Sequence, residues 1–321
     1  MDTSTRPNKS TNVRFTPAMK AARMTLEFLG PRAPSLAARW AEEMFLTARR
    51  SPRPAKERAV LASAEATRVP YAGSHLPVWT WTPEGADDPP TAILVHGWEG
   101  RGSQLGAFVE PLLARGVRVV AFDAPGHGDA PLRHASVVDH ARALVAVAED
   151  VASRGVLAVV GHSVGGAAAL LATRFGLRPG RLALVAPPMS PARFAAGFSR
   201  MMGLDERVHA AMIHRLEERY GIAIPDLDVR RDAARFASPV LVVHDEDDRI
   251  VPPSDGAAIA GAAAHGELVA TRGLGHGRIL EAPQVVERVV GFVTAGARQP
   301  QYAKTFAETL EGELFVPDRR R

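Results

Sequence analysis

From residue 91 onward the chain alternates short apolar runs with stretches of helical periodicity, and this alternation restricts the fold more than any other feature. The runs are Thr91–Val95, Val117–Phe122, 156–160, 181–186, Pro239–Val243 and 267–271. Between them lie helical patterns at 103–115, 139–153, 164–176 and 254–264. Strands that read as near-continuous apolar runs separated by helices belong to a mostly parallel sheet covered on both faces. Two earlier runs, 65–70 and 77–82, flank the turn Ala72-Gly73-Ser74 and predict an antiparallel hairpin at one edge, for eight strands in all. No internal repeat is evident.

One interval is too long for a simple crossover. About fifty residues separate Ala186 from Pro239. Ser190-Pro191 suits an N-cap and first helical position, followed by Phe194, Phe198 and Met201 on one face. Asp205 suits the cap of a second helix carrying Val208, Met212, Leu216 and Tyr220. Residues 188–237 are therefore expected to form a small helical cap, with Phe194, Phe198, Met201 and Met212 as candidate substrate-binding residues. Upstream, residues 1–15 read as disordered, while 17–60 carry two amphipathic patterns. The apolar positions are Met24, Leu26, Phe28 and Leu29, then Leu36, Trp40, Met44 and Phe45. Packing on the core is the simplest use of these helices; a homodimer contact or a membrane surface are the others. The expected division is an N-terminal helical extension (1–62), a core (63–187 and 238–296), the cap (188–237) and a C-terminal tail (297–321).

Composition narrows the function classes. The 321 residues are 46% hydrophobic and 23% charged, an ordinary globular balance. No uninterrupted apolar stretch of spanning length occurs, so no transmembrane segment is expected. The polar start Met1–Phe15 does not read as a secretory signal, which leaves a cytoplasmic location as the default. With no cysteine, disulfides, thiolate metal sites and cysteine nucleophiles are excluded. The net charge of +4 is spread along the chain, with local excess at 6–58 and at Arg319-Arg320-Arg321. No aromatic residues interleave with a basic stripe, so a solvated basic surface is favoured over a nucleic-acid partner.

The chemistry concentrates in Gly161-His162-Ser163-Val164-Gly165-Gly166. It follows an apolar strand and opens a small-residue helix. Ser163 would occupy a strained strand-to-helix turn, with Gly161 and Gly165 removing β-carbons that would collide. The helix N-terminus aimed at the hydroxyl favours developing negative charge.

With four further motifs, this places the resemblance. The chain resembles the α/β-hydrolases over roughly residues 63–296, in His96-Gly97-Trp98, Asp123-Ala124-Pro125-Gly126-His127-Gly128, Asp248-Arg249-Ile250-Val251-Pro252 and Gly275-His276-Gly277. Each motif follows a predicted strand, and the order Ser, Asp, His is the order this fold uses. The resemblance implies an eight-stranded, mostly parallel α/β-hydrolase sheet, with Ser163 as nucleophile and His276 as base. His96 and His127 look like loop-shaping residues, and His162 is expected to point away along its strand and pack. In the family pattern the acid stands four residues before the proline, here Pro252, which selects Asp248, with Asp247 next. The alternative placement after the strand at 181–186 holds Ala186-Pro187-Pro188 and offers no carboxylate. By resemblance the oxyanion donors are the backbone N–H groups of Trp98 and Val164. The Trp98 side chain either walls the acyl pocket or packs under the cap.

The expected function is that of a serine esterase acting on small-molecule carboxylic esters of hydrophobic character, with no metal or organic cofactor. The same triad could serve an acyltransferase, a lyase or a carbon–carbon hydrolase. A non-catalytic binding protein on the same scaffold is a further alternative. Dehalogenases and epoxide hydrolases of this fold place aspartate at the elbow, and Ser163 argues against both.

Overall fold

The structure is a computed structural model that describes residues 16–152 and 154–295. The stretch 1–15, residues 297–321 and Arg319–Arg321, read from sequence as disordered, as a tail and as a basic cluster, lie outside the described residues.

Eight strands form one sheet: β1 (Glu65–Tyr71), β2 (Ser74–Trp81), β3 (Thr91–Val95), β4 (Arg118–Phe122), β5 (Val156–His162), β6 (Leu182–Val185), β7 (Val240–Asp245) and β8 (Gly266–Thr271). Their order is β1-β2-β4-β3-β5-β6-β7-β8. β2 is antiparallel to both β1 and β4, and every pairing from β4 to β8 is parallel. β3, β5, β6 and β7 are buried at every residue, which is why they read as unbroken apolar runs, whereas the edge strands β1 and β8 are largely exposed. Helices Val137–Val151, Val164–Arg174 and Pro253–Ala262 cover one face, with Leu144, Leu170 and Ile259 in its core. Helix Pro283–Thr294 and the short helices at 102–113 cover the other, with Phe108, Leu112 and Val289.

Local chemistry places the helix starts. Pro17, Pro34, Pro253 and Pro283 each occupy a first helical position, where a missing N–H costs nothing. Ser136 caps the helix it precedes through the N–H of Asp139, and Asp205 does so through that of Val208. The insertion after β6 begins one residue later than expected: Ser190 accepts from the N–H of Ala192, and the helix runs Ala192–Met202, followed by Glu206–Tyr220. A third N-terminal helix, Ala55–Ala62, escaped the sequence reading; it buries no residue completely and so shows little periodicity.

The inserted helices pack against Pro17–Leu29 and Pro34–Phe45 around Leu26, Ala37, Ala38, Ala41, Met202, Met212 and Leu216. Small residues on Pro34–Phe45 allow the close approach. Glu42 is buried in this seam and accepts from Nε of Arg215 and Nε of Arg219, each at 2.6 Å. Tyr220 donates to Asp139, His134 pairs with Glu43, and the N–H of Ala135 donates to the carbonyl of Leu46. These partners precede or open helix Val137–Val151, so the four helices contact the side of the sheet from which the C-terminal strand ends emerge. This packing corrects one expectation. Met212 is completely buried in the seam and has no surface for a ligand. Phe198 meets Phe45 edge-on at 5.3 Å between ring centres, and Met201 packs into the same cluster. Phe194 is half-buried and stands outside it. Exposed Met24, Phe28 and Leu36 lie on the outer faces of the N-terminal helices. No helix of the described residues is long and apolar enough to cross a membrane.

Candidate active site

The strand ends are in register at one edge: Val95 lies opposite Gly161, His162 opposite Val185, and Val185 opposite Val243. Side chains that follow β3, β5, β7 and β8 therefore converge outside the carboxyl ends of the strands, where open α/β sheets bind ligands. Ser163 follows β5 directly. Its backbone stands at φ 52°, ψ −126°, in a region that costs a non-glycine residue about 1–3 kcal/mol. The turn is over-determined: Ser163 donates its N–H to the carbonyl of Val185 at 2.8 Å, and its own carbonyl accepts from Gly166 and Ala167. A β-carbon at Gly161 would lie 2.6 Å from the carbonyl oxygen of Gly165, and one at Gly165 would lie 2.3 Å from that of Val95. Those contacts are the physical reason for glycine on both sides of the serine.

The loop after β3 rests on this turn. A β-carbon at Gly97 would come within 3.0 Å of Cβ of Ser163 and 3.2 Å of Nδ1 of His162. His96 shapes the loop: its Nδ1–H donates to the carbonyl of Gly97 at 2.7 Å, and its Nε2 accepts from the N–H of Ala124 at 3.0 Å. Among the described residues, the backbone N–H groups of Trp98 and Val164 donate to no partner, leaving two free donors beside Ser163. The Trp98 ring is about one-third exposed and meets His127 edge-on at 5.1 Å. His127 in turn packs with His96 and His140, at 5.1 and 4.9 Å. Burial holds all three imidazoles well below the usual histidine range, His127 at about 4 and His140 at about 3. Nε2 of His127 and Nε2 of His140 have no hydrogen-bond partner. Among the described residues, no cluster of three or more His, Asp or Glu side chains is arranged to hold a metal ion.

The four consecutive carboxylates that begin at the last residue of β7 separate cleanly. Asp245 is buried and accepts from the N–H groups of Leu274 and Gly275 and from the hydroxyl of Thr271, fastening the loop after β8 to the end of β7. Glu246 and Asp247 are exposed, and Asp247 accepts from the N–H of Gly273 at 3.0 Å. Asp248 is buried, with Oδ2 2.7 Å from Nδ1 of His276 and Oδ1 accepting from Ile250 and Val251. Burial opposes its charge, but hydrogen bonds from His244, His276 and the Val251 N–H outweigh this and hold the carboxyl far below the usual range. The structure thus brings Asp248 to His276 and turns Asp247 away. The Ser163 hydroxyl itself has no hydrogen bond among the described residues.

Three features were not read from sequence. His244, i−4 to Asp248, has Nε2 3.4 Å from Oδ2 and 3.1 Å from the carbonyl of Val251. His162 is buried as expected but does more than pack: its Nε2 reaches the carbonyl oxygen of His276. The N-terminal segment forms a strap across the site loops. Glu57 accepts from Arg101 at 2.5 and 2.8 Å and from Ser103 at 2.6 Å, while Arg53 pairs with Asp123 and Asp129. A cavity of about 220 Å³ lies beneath this strap, lined by Glu57, Gln104, His162, Gly277 and Leu280. Ser163 does not line it.

No curated protein sequence matches the chain. Several solved structures share its fold. Est1E from Butyrivibrio proteoclasticus is 21% identical, with 71% of this chain and 96% of that one covered at a TM-score of 0.55. The esterase EaEST from Exiguobacterium antarcticum is 17% identical, covers 72% and 100%, and scores 0.56. The esterase RhEst1 from Rhodococcus sp. ECU1013 is 18% identical, covers 73% and 99%, and scores 0.53. The model of the alpha/beta hydrolase family matches residues 92–289, well over half of the sequence and every strand from β3 to β8, and the chain belongs to that family.

Proposed function

We propose that the protein is a serine hydrolase that cleaves carboxylic esters of hydrophobic character through an acyl-enzyme. The observation that carries this reading is Ser163 at φ 52° on the strand-to-helix turn, with two backbone N–H groups that have no protein partner and an Asp248–His276 pair held against the adjacent His162. A serine hydroxyl is a weak nucleophile until a base takes its proton. In this reading Nε2 of His276 accepts that proton as Oγ attacks the ester carbonyl. Asp248 holds the Nδ1–H tautomer and stabilises the imidazolium without becoming protonated. The N–H groups of Trp98 and Val164 receive the oxyanion, each such donor being worth about 2.7–4 kcal/mol. His276 then protonates the leaving alkoxide. In the second half it deprotonates a water that attacks the acyl carbon, releasing the acid and restoring Ser163. The unengaged hydroxyl fits a bond that tightens only when substrate is bound. The part-exposed Trp98 ring beside the donor N–H supports an apolar group next to the scissile bond.

The test is paired. A fluorophosphonate probe should label the protein, and p-nitrophenyl esters should be hydrolysed. Ser163→Ala should abolish both while the circular dichroism spectrum stays unchanged. Retained labelling with normal turnover would overturn the reading.

A further inference from the structure

His162 precedes the nucleophile, and alternation along β5 would send its side chain away from the chemistry. Its Nε2 instead lies 2.9 Å from the backbone carbonyl oxygen of His276, a residue 114 positions further along the chain. A carbonyl can only accept, so Nε2 carries the proton and Nδ1 is bare. The two imidazoles face one another with centres 4.8 Å apart and planes inclined by 44°. The same ring supports the donor loop, since a β-carbon at Gly97 would lie 3.2 Å from Nδ1 of His162. One buried side chain therefore touches the loop that carries Trp98 and the segment that carries His276, and is covalently next to Ser163.

The segment it holds needs holding. His276 lies in a four-residue helix, Gly275–Arg278, that has no side-chain cap and a glycine on each side of the histidine. Glycine leaves the backbone torsions there wide. Asp245 fastens the entry to this turn through Leu274 and Gly275, but at the histidine itself the carbonyl has His162 as its side-chain partner. We infer that His162 is a positioning residue for the base, whose hydrogen bond to the His276 carbonyl sets the height and tilt of the His276 imidazole over Ser163. This rests on the triad reading above. It needs a neutral donor, because a second cation against His276 would oppose the imidazolium formed in the transition state. The charged and titratable groups around the His162 ring are His276, Asp248, His244 and His96, and Lys56, Glu57 and Glu281 line the cavity it borders. Burial, reinforced by His276, holds His162 down at about 4, which keeps it neutral at physiological pH.

The test is a mutant cycle on ester turnover. His162→Leu, similar in volume but without a donor, should lower kcat by about 100-fold, the order expected for a misplacement near 1 Å, with KM within about twofold. In a His276→Ala background the same substitution should cost nothing further, because a residue that acts only through His276 has nothing left to position. His162→Gln, whose amide nitrogen can take the place of Nε2, should recover most of kcat, and His162→Asn, too short to reach, should not. The Gln and Asn pair serves equally if His162→Leu fails to fold. Unchanged kcat in His162→Leu, equal kcat in the Gln and Asn variants, or an undiminished loss in the His276→Ala background would overturn the inference. If His276→Ala is inactive while His162→Leu keeps its kcat, only this inference falls; if His276→Ala keeps full turnover, the triad reading falls with it.

Discussion

Oδ2 of Asp248 lies 2.7 Å from Nδ1 of His276, although the two residues leave different strands and are 28 positions apart. The adjacent Asp247 turns to the opposite side and accepts from Gly273. Asp248→Asn should therefore cut kcat by up to about 10⁴-fold, because the amide favours the wrong imidazole tautomer. Asp247→Asn, which alters one exposed loop contact, should change kcat less than about threefold. The reverse ranking in steady-state kinetics would reassign the acid.

Backbone strain at Ser163 separates activity from stability. Glycine tolerates φ 52°, and its own entropic cost, about 0.5–1 kcal/mol, is smaller than the strain it relieves. Ser163→Gly should be inactive yet more stable than Ser163→Ala by about 1 kcal/mol, read by urea denaturation. Equal stability of the two variants would show that the turn is not strained.

The strap should carry measurable stability. Arg101 and Glu57 are both largely buried, and Glu57 also accepts from Ser103. Removing one member leaves the other charge without compensation, a loss of about 3–5 kcal/mol in buried pairs. Glu57→Leu should lower stability by about 3 kcal/mol in denaturant, and replacing Glu57 and Arg101 together by apolar residues should restore part of it.

The histidines below Trp98 set an acid limit. Burial depresses His96, His127 and His140 in the folded state, so the unfolded chain binds protons first as pH falls from the ordinary histidine value of about 6.5. Stability is at its full value above that pH and declines as pH falls from about 6.5 toward 3, since the unfolded state holds more protons throughout. Asp248, also depressed, adds its loss only below about 4. Urea midpoints should fall steadily from pH 7 to pH 4.5, and His140→Phe should flatten that slope. A midpoint constant over this range would exclude the effect.

Much of the architecture is local in origin, which made it legible in the one-dimensional chain. β3, β5, β6 and β7 are fully covered, so each had to be an apolar run, and their alternation with helices implied parallel pairing. Ser163 stands out because its strained turn requires glycine two positions away on either side, at Gly161 and Gly165. The resemblance to the family pattern, with its acid four residues before a proline, points to Asp248 over Asp247, but only the folded loop shows which carboxylate is buried against His276. Phe198 and Met201 on one inserted helix and Met212 on the next read as apolar faces that could serve either a substrate or a packing partner. Tertiary packing supplied the N-terminal helices as that partner and removed Met212 from any ligand surface. The bond from His162 to the carbonyl of His276 leaves no trace in sequence, because backbone acceptors are the same at every position. Local sterics, which act over a few residues, are written in residue order; which distant groups meet is decided when the sheet brings its strand ends into register.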